Sequence, residues 1–291
     1  MTLSLPPFPR FLVRAVSLLV LLGASLLAQA QTIRYVRTNG TNPNPAAAIT
    51  WATSTTNLQG AIDASIPGDQ VWVAAGTYKP GGNANTNRDL SFPITGPGGA
   101  AQPSSTTLSG DIGVVGNKAD NSYHVIYNLD VLTTTAVLDG FVITGGKADG
   151  TNLPGNSGGG MYNNGVGSGK DCSPLIRNCS FQNNSAKEGG AALFNDGSFS
   201  GRSKPTLSNC IFQNNSAFYG GAIFNKGESD GSNTGADSSP VLANCSFQSN
   251  SATAGGAMVN DAQSSGRSNP TLTNCSFQDN SATDKGGAIF N

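Results

Sequence analysis

SPLIRNCSFQNNSA at residues 173–186, followed by GAALFN at 190–195, returns three more times along the chain. The other copies are KPTLSNCIFQNNSA (204–217) with GGAIFN (220–225), SPVLANCSFQSNSA (239–252) with GGAMVN (255–260), and NPTLTNCSFQDNSA (269–282) with GGAIFN (286–291). GGGMYN at 158–163 carries the second half alone. The closing asparagines, 163, 195, 225, 260 and 291, are spaced by 32, 30, 35 and 31 residues. A period near thirty that drifts by a few residues marks a solenoid with unequal loops.

The segments L-x-N-C-x-F and A-I-F-N are short and rich in β-compatible residues, so they read as strands. N-x-S-A leading into Gly-Gly reads as a corner, because Asn and Gly tolerate positive φ. An array of helical hairpins has a similar period, but paired glycines and a proline before each N-C-x-F disfavour helix. The fold class that follows is all-β: a single-stranded right-handed parallel β-helix with a short N-terminal capping helix. One coil cannot bury its apolar side alone; stacking coils about 4.8 Å apart builds a continuous core. Like positions then stack as ladders: Cys179, Cys210, Cys245 and Cys275; Phe181, Phe212, Phe247 and Phe277; Asn184, Asn215, Asn250 and Asn280. The asparagine amides are placed to hydrogen-bond along the stack.

Four stacked cysteines invite a metal or a disulfide reading. Metal ligands converge on one point, whereas these lie on successive coils and point the same way. Parallel in-register side chains also suit disulfide geometry poorly. A ladder of buried free thiols is the expectation. Cys172 is the fifth cysteine, expected to be exposed or paired with a neighbour. Asn178-Cys179-Ser180 and Asn183-Asn184-Ser185 fit the N-glycosylation pattern, but repeat geometry already accounts for both asparagines.

The composition agrees with a solenoid of tight corners: 38 Gly, 11% charged residues and one His. A formal charge of −1 with dispersed basic residues leaves no footprint for nucleic acid. Residues 1–30 read as a signal peptide, with Arg10 and Arg14, an apolar run from Ala15 to Leu27, and Ala28-Gln29-Ala30 as cleavage site. An uncleaved anchor is the competing reading, although the run is short for a membrane span. The expected divisions are 31–80 for the N-terminal cap and first strand, 81–133 for irregular first coils, and 134–291 for the repeats. The chain stops at Asn291, on a repeat strand with no closing coil, so it is expected to continue in a longer protein.

Ahead of the repeats, NLQGAIDAS (57–65) places Leu58, Ala61 and Ile62 on one face of a short helix, ended by Pro67-Gly68-Asp69, and QVWVA (70–74) reads as a strand. Such a helix would cap the first coil, with Trp51 packed in the cap. RYVRTNG (34–40), WATSTTNLQGAIDASIPGDQVWVAAGTYKP (51–80), TTLSGDIG (106–113), DNSYHVI (120–126) and AVLDGFVITGG (136–146) resemble the pectate-lyase-like β-helix proteins of bacterial surfaces, many in the Bacteroidota. The F-x-x-N pairs Phe181/Asn184, Phe212/Asn215, Phe247/Asn250 and Phe277/Asn280, with the following glycines, are similar to repeats of the chlamydial polymorphic outer-membrane proteins. The likeness spans nearly the whole mature chain and is specific for fold, weak for activity. It departs at RDLSFPITGPGGAAQ (88–102), which is short and Gly/Pro-rich where relatives carry another apolar strand.

A lyase of the resembling kind implies acidic Ca²⁺ ligands and a basic residue on one strand face. The repeat strands hold almost no acids, and Arg177 is the lone cation in an N-C-x-F strand. A hydrolase needs two carboxylates across a cleft; Asp120, Asp130, Asp139 and Asp149 sit at turn-like positions where Asp is ordinary. His124 is expected to be packed or hydrogen-bonded. GGNAN (81–85) and GPGG (96–99) lack the Lys and helix of a phosphate loop. The loops 196–204, 226–239 and 261–269 vary between coils, and that edge is where solenoids bind. Asp196, Glu228, Asp230, Asp237 and Asp261 are the candidate binding residues there, for glycans or Ca²⁺, against the reading of plain solvated loops. The expected role is adhesive, binding or structural, at the extracellular or outer-membrane surface, as a monomer without cofactor and with a glycan or cell-surface partner. The alternative is a polysaccharide lyase or glycoside hydrolase.

Overall fold

Each repeat contributes three main strands where the sequence suggested two, and three of the four repeats add a further strand after the second corner, Ser185–Ala186, Ser251–Ala254 and Ser281–Lys285. The computed structural model describes residues 31–66, 69–81, 87–89, 91–92, 98–100, 106–129, 131–229, 231 and 235–291. The expected signal peptide, Pro67-Gly68, Asp130, Asp230 and much of 81–105 lie outside the described residues. L-x-N-C-x-F is two strands on different sheets, Leu175–Arg177 and Ser180–Gln182 in the first full repeat, followed by Leu193–Asp196 on a third sheet. The break is the Asn before each Cys. Asn178, Asn209, Asn244 and Asn274 have φ of 54°, 53°, 54° and 52°, a left-handed conformation that Asn tolerates and β-branched residues do not. Asn183, Asn214, Ser249 and Asp279 turn the second corner, with φ between 52° and 55°.

The third corner belongs to the glycine that opens each G-[GA]-x-Φ-Φ-N segment. Gly190, Gly220, Gly255 and Gly286 have φ from 57° to 63°, and a Cβ there would lie 2.2–2.3 Å from the carbonyl oxygen three residues on. Only glycine fits both conditions.

The strands pair in parallel, and the three main sheets stay in register through the repeats; the Ser251–Ala254 and Ser281–Lys285 pair slips at a bulge. The first sheet runs through 98–100, Ala136–Asp139, Leu175–Arg177, Thr206–Ser208, Val241–Ala243 and Thr271–Thr273. The second runs through Gly76–Tyr78, Thr106–Ser109, Phe141–Thr144, Ser180–Gln182, Ile211–Gln213, Ser246–Gln248 and Ser276–Gln278. The third runs through Ile126–Asn128, Met161–Asn164, Leu193–Asp196, Ile223–Lys226, Met258–Asp261 and Ile289–Phe290. Most strands ahead of the repeats extend the same three sheets, while Ile33–Val36 pairs with Gln70–Val73 and Lys147–Ala148 with Ser185–Ala186 in two small sheets; the described chain is a parallel β-helix with very little helix.

The expected ladders form the core. Phe181, Phe212, Phe247 and Phe277 stack face to face with centroids 5.2, 4.7 and 4.7 Å apart. Leu138, Ile176, Leu207 and Leu242 from the first sheet, and Ile126, Met161, Leu193, Ile223 and Met258 from the third, close around them. None of the five cysteines forms a disulfide, and the four ladder thiols lie behind the first corner, each near backbone carbonyls. Burial pushes the Cys179 thiol up to about 12, which keeps it protonated and unreactive.

Asn184, Asn215 and Asn250 are fully buried, and each does the same work. Asn215 Nδ2 donates to Phe181 O on the preceding coil (2.9 Å) and to Asn250 Oδ1 on the next (3.0 Å). Its Oδ1 accepts from the backbone N and Nδ2 of Asn184 (3.1 and 3.2 Å). The ladder therefore satisfies the corner backbone as well as itself.

At the other end, Leu58–Asp63 is the capping helix, with the Asn57 side chain accepting from Gly60 N at 2.8 Å. Leu58 and Ala61 bury into the main core, and Ile62 packs against it. Trp51 stays 43% exposed, its ring meeting Tyr35 edge-on. Strands Ile33–Val36 and Gln70–Val73 pair beside the helix. Arg34 and Asp69 form a buried ion pair there at 2.6 Å. Burial alone would raise the Asp69 carboxyl; backbone N–H donors from Thr32 and Ile66 and the Arg34 guanidinium outweigh it and hold the carboxyl below its usual range.

Candidate functional site

The loop acids do not converge. Asp196 ends a strand instead of lying in a solvated loop, is 3% exposed, and accepts from Tyr162 Oη at 2.7 Å and Ser198 N at 3.2 Å. That contact, added to burial, raises the Tyr162 phenol well above its ordinary value. Asp261 occupies the same register two coils on, with Lys226 between them. It accepts from Gln263 at 3.1 Å, and burial pushes its carboxyl up. Glu228 pairs with Lys226 at 2.9 Å. Asp237 is buried on a different row, pairing with Lys204 at 3.1 Å and standing in register between Arg202 and Arg267. Each of these four acids is already committed to a partner of its own. Among the described residues no group of three or more His, Cys, Asp or Glu side chains could hold a metal ion.

The loops themselves are more ordered than solvated loops. Gly197 N donates to Lys226 O, Gly227 N to Asp261 O, Phe199 N to Glu228 O and Ser229 N to Gln263 O, so the stacking continues past the third sheet. Beneath them runs a row that the sequence reading missed: Ser203, Ser238 and Ser268, each donating to the backbone of the preceding coils. Cys172 holds the same position one coil earlier. It is fully buried and forms no disulfide, contrary to the expectation of an exposed or bridged thiol.

Other acids singled out from sequence are likewise occupied. Asp139 accepts from Arg177 Nε at 2.9 Å and from Asn178 Nδ2 at 2.7 Å. Asp149 is bound by Arg88 and Lys147, whose hydrogen bonds overcome burial and lower its carboxyl. Asp120 accepts from Val114 N at 2.9 Å within its own loop. His124 is buried between Tyr127 and Tyr162, with Nδ1 2.9 Å from Gly158 O. Burial lowers it to about 4, so the ring is neutral at pH 7.

Two outward surfaces stand out instead. On the second sheet, the residues flanking the inward phenylalanines are Ser180 and Gln182, Ile211 and Gln213, Ser246 and Gln248, Ser276 and Gln278. This strip carries no charge. On the third sheet, the residue after each inward Met, Leu or Ile faces out, giving the row Tyr127, Tyr162, Phe194, Phe224, Val259 and Phe290. Tyr162, Phe194 and Phe224 stack at 5.1 and 5.2 Å and are almost wholly covered. The signal was present in the sequence as two adjacent apolar residues in each G-[GA]-x-Φ-Φ-N strand, since neighbours on a strand face opposite ways. The inward Asn that follows them forms a second amide ladder, from Asn128 through Asn163, Asn195, Asn225 and Asn260 to Asn291, with steps of 2.6–2.9 Å.

The family model for the Chlamydia polymorphic membrane protein repeat matches residues 178–196, 209–226 and 274–291. Each match starts at the left-handed Asn before Cys and ends within or beside the third-sheet strand. No curated protein sequence matches the chain. Solved structures with a similar trace include pectate lyase Pel9A, at 15% identity and TM-score 0.44 over 79% of this chain. The chain spans about half the length of that lyase (52%). Escherichia coli YbhC gives 12% identity and TM-score 0.44, covering 91% of this chain and 66% of that one. A rhamnogalacturonan lyase gives 15% and 0.31, covering 89% and 62%. The chain is thus a parallel β-helix, three stretches of which match the repeat model of the Chlamydia polymorphic membrane protein.

Proposed function

We propose that this chain is a secreted or cell-surface β-helix protein with an adhesive or binding role toward glycans or a neighbouring cell surface. The observation that carries the reading is the uncharged outward strip of the second sheet, Ser/Ile alternating with Gln over four coils. Such a strip offers hydroxyl and amide groups for many weak hydrogen bonds to an extended partner, and it supplies neither acid nor base for chain cleavage. The repeat match supports placement at a surface, because the matched repeat is named for membrane proteins. A role for Ca²⁺ gains no support from the four described loop acids, Asp196, Glu228, Asp237 and Asp261, each of which has a protein partner. No helix among the described residues is long and apolar enough to cross a membrane.

The test is to incubate the pure chain with polygalacturonate and related glycans, with and without Ca²⁺, and to measure both retention and unsaturated products. Retention of at least one of these glycans without turnover is the expected outcome. Unsaturated products that require this chain would overturn the proposal in favour of a lyase.

A further inference from the structure

A cavity of about 260 Å³ opens beside the outer aromatic row of the third sheet, lined by Leu153, Asn156, Glu188, Tyr219, Phe224 and Lys226, with Phe194 in its floor. Its volume falls below the roughly 300–1,000 Å³ of pockets for drug-sized ligands, so it suits a single ring. Gly189 lies against the floor: a Cβ there would stand 2.9 Å from the Phe224 ring and 3.1 Å from that of Phe194. The wall is Tyr219, 37% exposed, meeting Phe224 edge-on at 6.3 Å and Phe218 edge-on at 4.6 Å. Leu153, 44% exposed, faces the same opening.

The polar lining is asymmetric in charge. Lys226 is neutralised by Glu228 at 2.9 Å. Glu188 is exposed and makes no ion pair among the described residues, while its backbone is held by Asn156 and Tyr219. The site therefore combines aromatic faces, a free carboxylate and an amide, with a net negative balance. A molecule with one apolar face and a rim of hydroxyls satisfies the rings and the acceptors together. A uronate would bring its carboxylate toward Glu188 and be disfavoured.

We infer that this cavity is a binding site for one pyranose ring of a neutral glycan, stacked on Tyr219 with its hydroxyls donating to Glu188. The inference rests on the proposed glycan-binding role and names the site and sugar class for it. It also predicts a preference opposite to that of an acidic-pectin binder.

The test uses the full chain, with methyl β-D-galactopyranoside, methyl β-D-glucopyranoside and galacturonate titrated separately by calorimetry. Binding of a neutral glycoside, tighter than galacturonate, is expected. Tyr219→Ala should weaken it by about tenfold or more, since an aromatic contact contributes up to about 1.5 kcal/mol beyond area burial. Glu188→Gln should weaken neutral binding and narrow the gap to galacturonate. Tyr219 is on the surface, and thermal melting verifies that the variant is folded. Unchanged neutral binding in Tyr219→Ala, or tighter binding of galacturonate, overturns the site while leaving a glycan-binding role intact. Absence of any glycan retention, in this assay and in the polysaccharide assay above, overturns both.

Discussion

The coils from Leu175 onward and the region ahead of them bury similar side chains but hold them by different means. In the coils, each buried group is met by the same residue one coil above and below, as in the Phe and Asn ladders. In the N-terminal region the partners are unlike: Arg34 with Asp69, Asn57 with Gly60, His124 with Gly158, Arg88 with Asp149. A stacked coil solves its polar accounting by repetition, whereas the start of a stack must satisfy open strand edges with individual, often charged, contacts. Two consequences separate the regions. Damage in the coils should act through two interfaces at once, and sensitivity to acid should concentrate near the start.

The sharpest way to break the comparison is Phe212→Ala. Phe212 is fully buried between two rings, so the change removes a large side chain and both of its stacked contacts. The expected loss is about 4–5 kcal/mol, read by chemical denaturation. A loss below about 2 kcal/mol would mean that the coils above and below collapse onto the gap, and that the ladder is not the source of stability. Asn215→Ala comes next, at about 3–4 kcal/mol, because it takes the side-chain partner from Phe181 O and Asn184 N in a buried corner and leaves the Asn184 and Asn250 amides with one contact fewer each. Hydrogen exchange should show the opening at coils 184 and 250 with Leu58–Asp63 unaffected.

Those ladders were legible in the sequence because identity itself was the signal: a solenoid places like residues on top of one another, so repetition of Cys, Phe and Asn at a fixed spacing specifies contacts. The capping helix was legible from Leu58, Ala61 and Ile62 on one helical face. Less was legible where the backbone, and not the side-chain pattern, makes the decision. The left-handed Asn178 and its equivalents split an apparent single strand, since Asn is compatible with either conformation and only the stacked geometry selects one. The serine row escaped notice because Ser203 and Ser238 sit in stretches that vary around them, and Cys172 hid its membership by differing in one atom. The loop acids misled for a related reason. An acid near Gly and Ser reads as solvated, yet Asp196 and Asp237 lie on ladder rows whose neighbours are Lys226 and Arg202 or Arg267, pairings visible only once the register is known. The outer aromatic cavity depends on Leu153, Glu188 and Tyr219 from separate turns, which no local pattern brings together.

Acid provides a gentler way to sharpen the contrast. The His124 value lies near 4, below the ordinary 6.5, so the unfolded chain binds more protons between those values. Stability should therefore fall as pH drops from about 6.5 toward 4, by about 3 kcal/mol in all. Asp69 works in the same direction lower down. Its carboxyl is held below the ordinary value when folded, so its contribution is present above pH 4 or so and is lost as pH falls through the folded value. The coil ladders contain amides and rings, which do not titrate, and four thiols whose values lie above this window; the lowest is Cys245, brought down to about 7 by its hydrogen bond with the Cys210 thiol. Hydrogen exchange at pH 7 and near pH 4 should show protection lost around residues 33–36, 70–73 and 124–128 while residues 180–182 and 211–213 keep theirs. Uniform loss would erase the distinction between the two regions.

The smallest expected effect tests whether the repeat logic reaches the one position that breaks its own row. Ser203 Oγ lies 3.3 Å from both Asn163 O and Cys172 O, and Ser238 Oγ 2.9 Å from Asn195 O. Cys172, in the equivalent place, reaches Asn128 O only at 3.9 Å and Asn163 Oδ1 at 3.8 Å. A thiol is a weak donor, and its larger sulfur is accommodated in a pocket shared with Leu132 and Ala136. Cys172→Ser should trade a little apolar burial for two ordinary hydrogen bonds, for a net gain of about 0.5–1 kcal/mol. A reverse change, Ser203→Cys, should cost about the same amount, since it meets Asn163 O and no extra apolar wall. If Cys172→Ser instead destabilises by more than about 1 kcal/mol, the pocket around Leu132 outweighs the row. Position 172 would then belong with the individually fitted contacts of the N-terminal region, and the boundary between the two regimes would fall between Cys172 and Ser203, the first serine of the row.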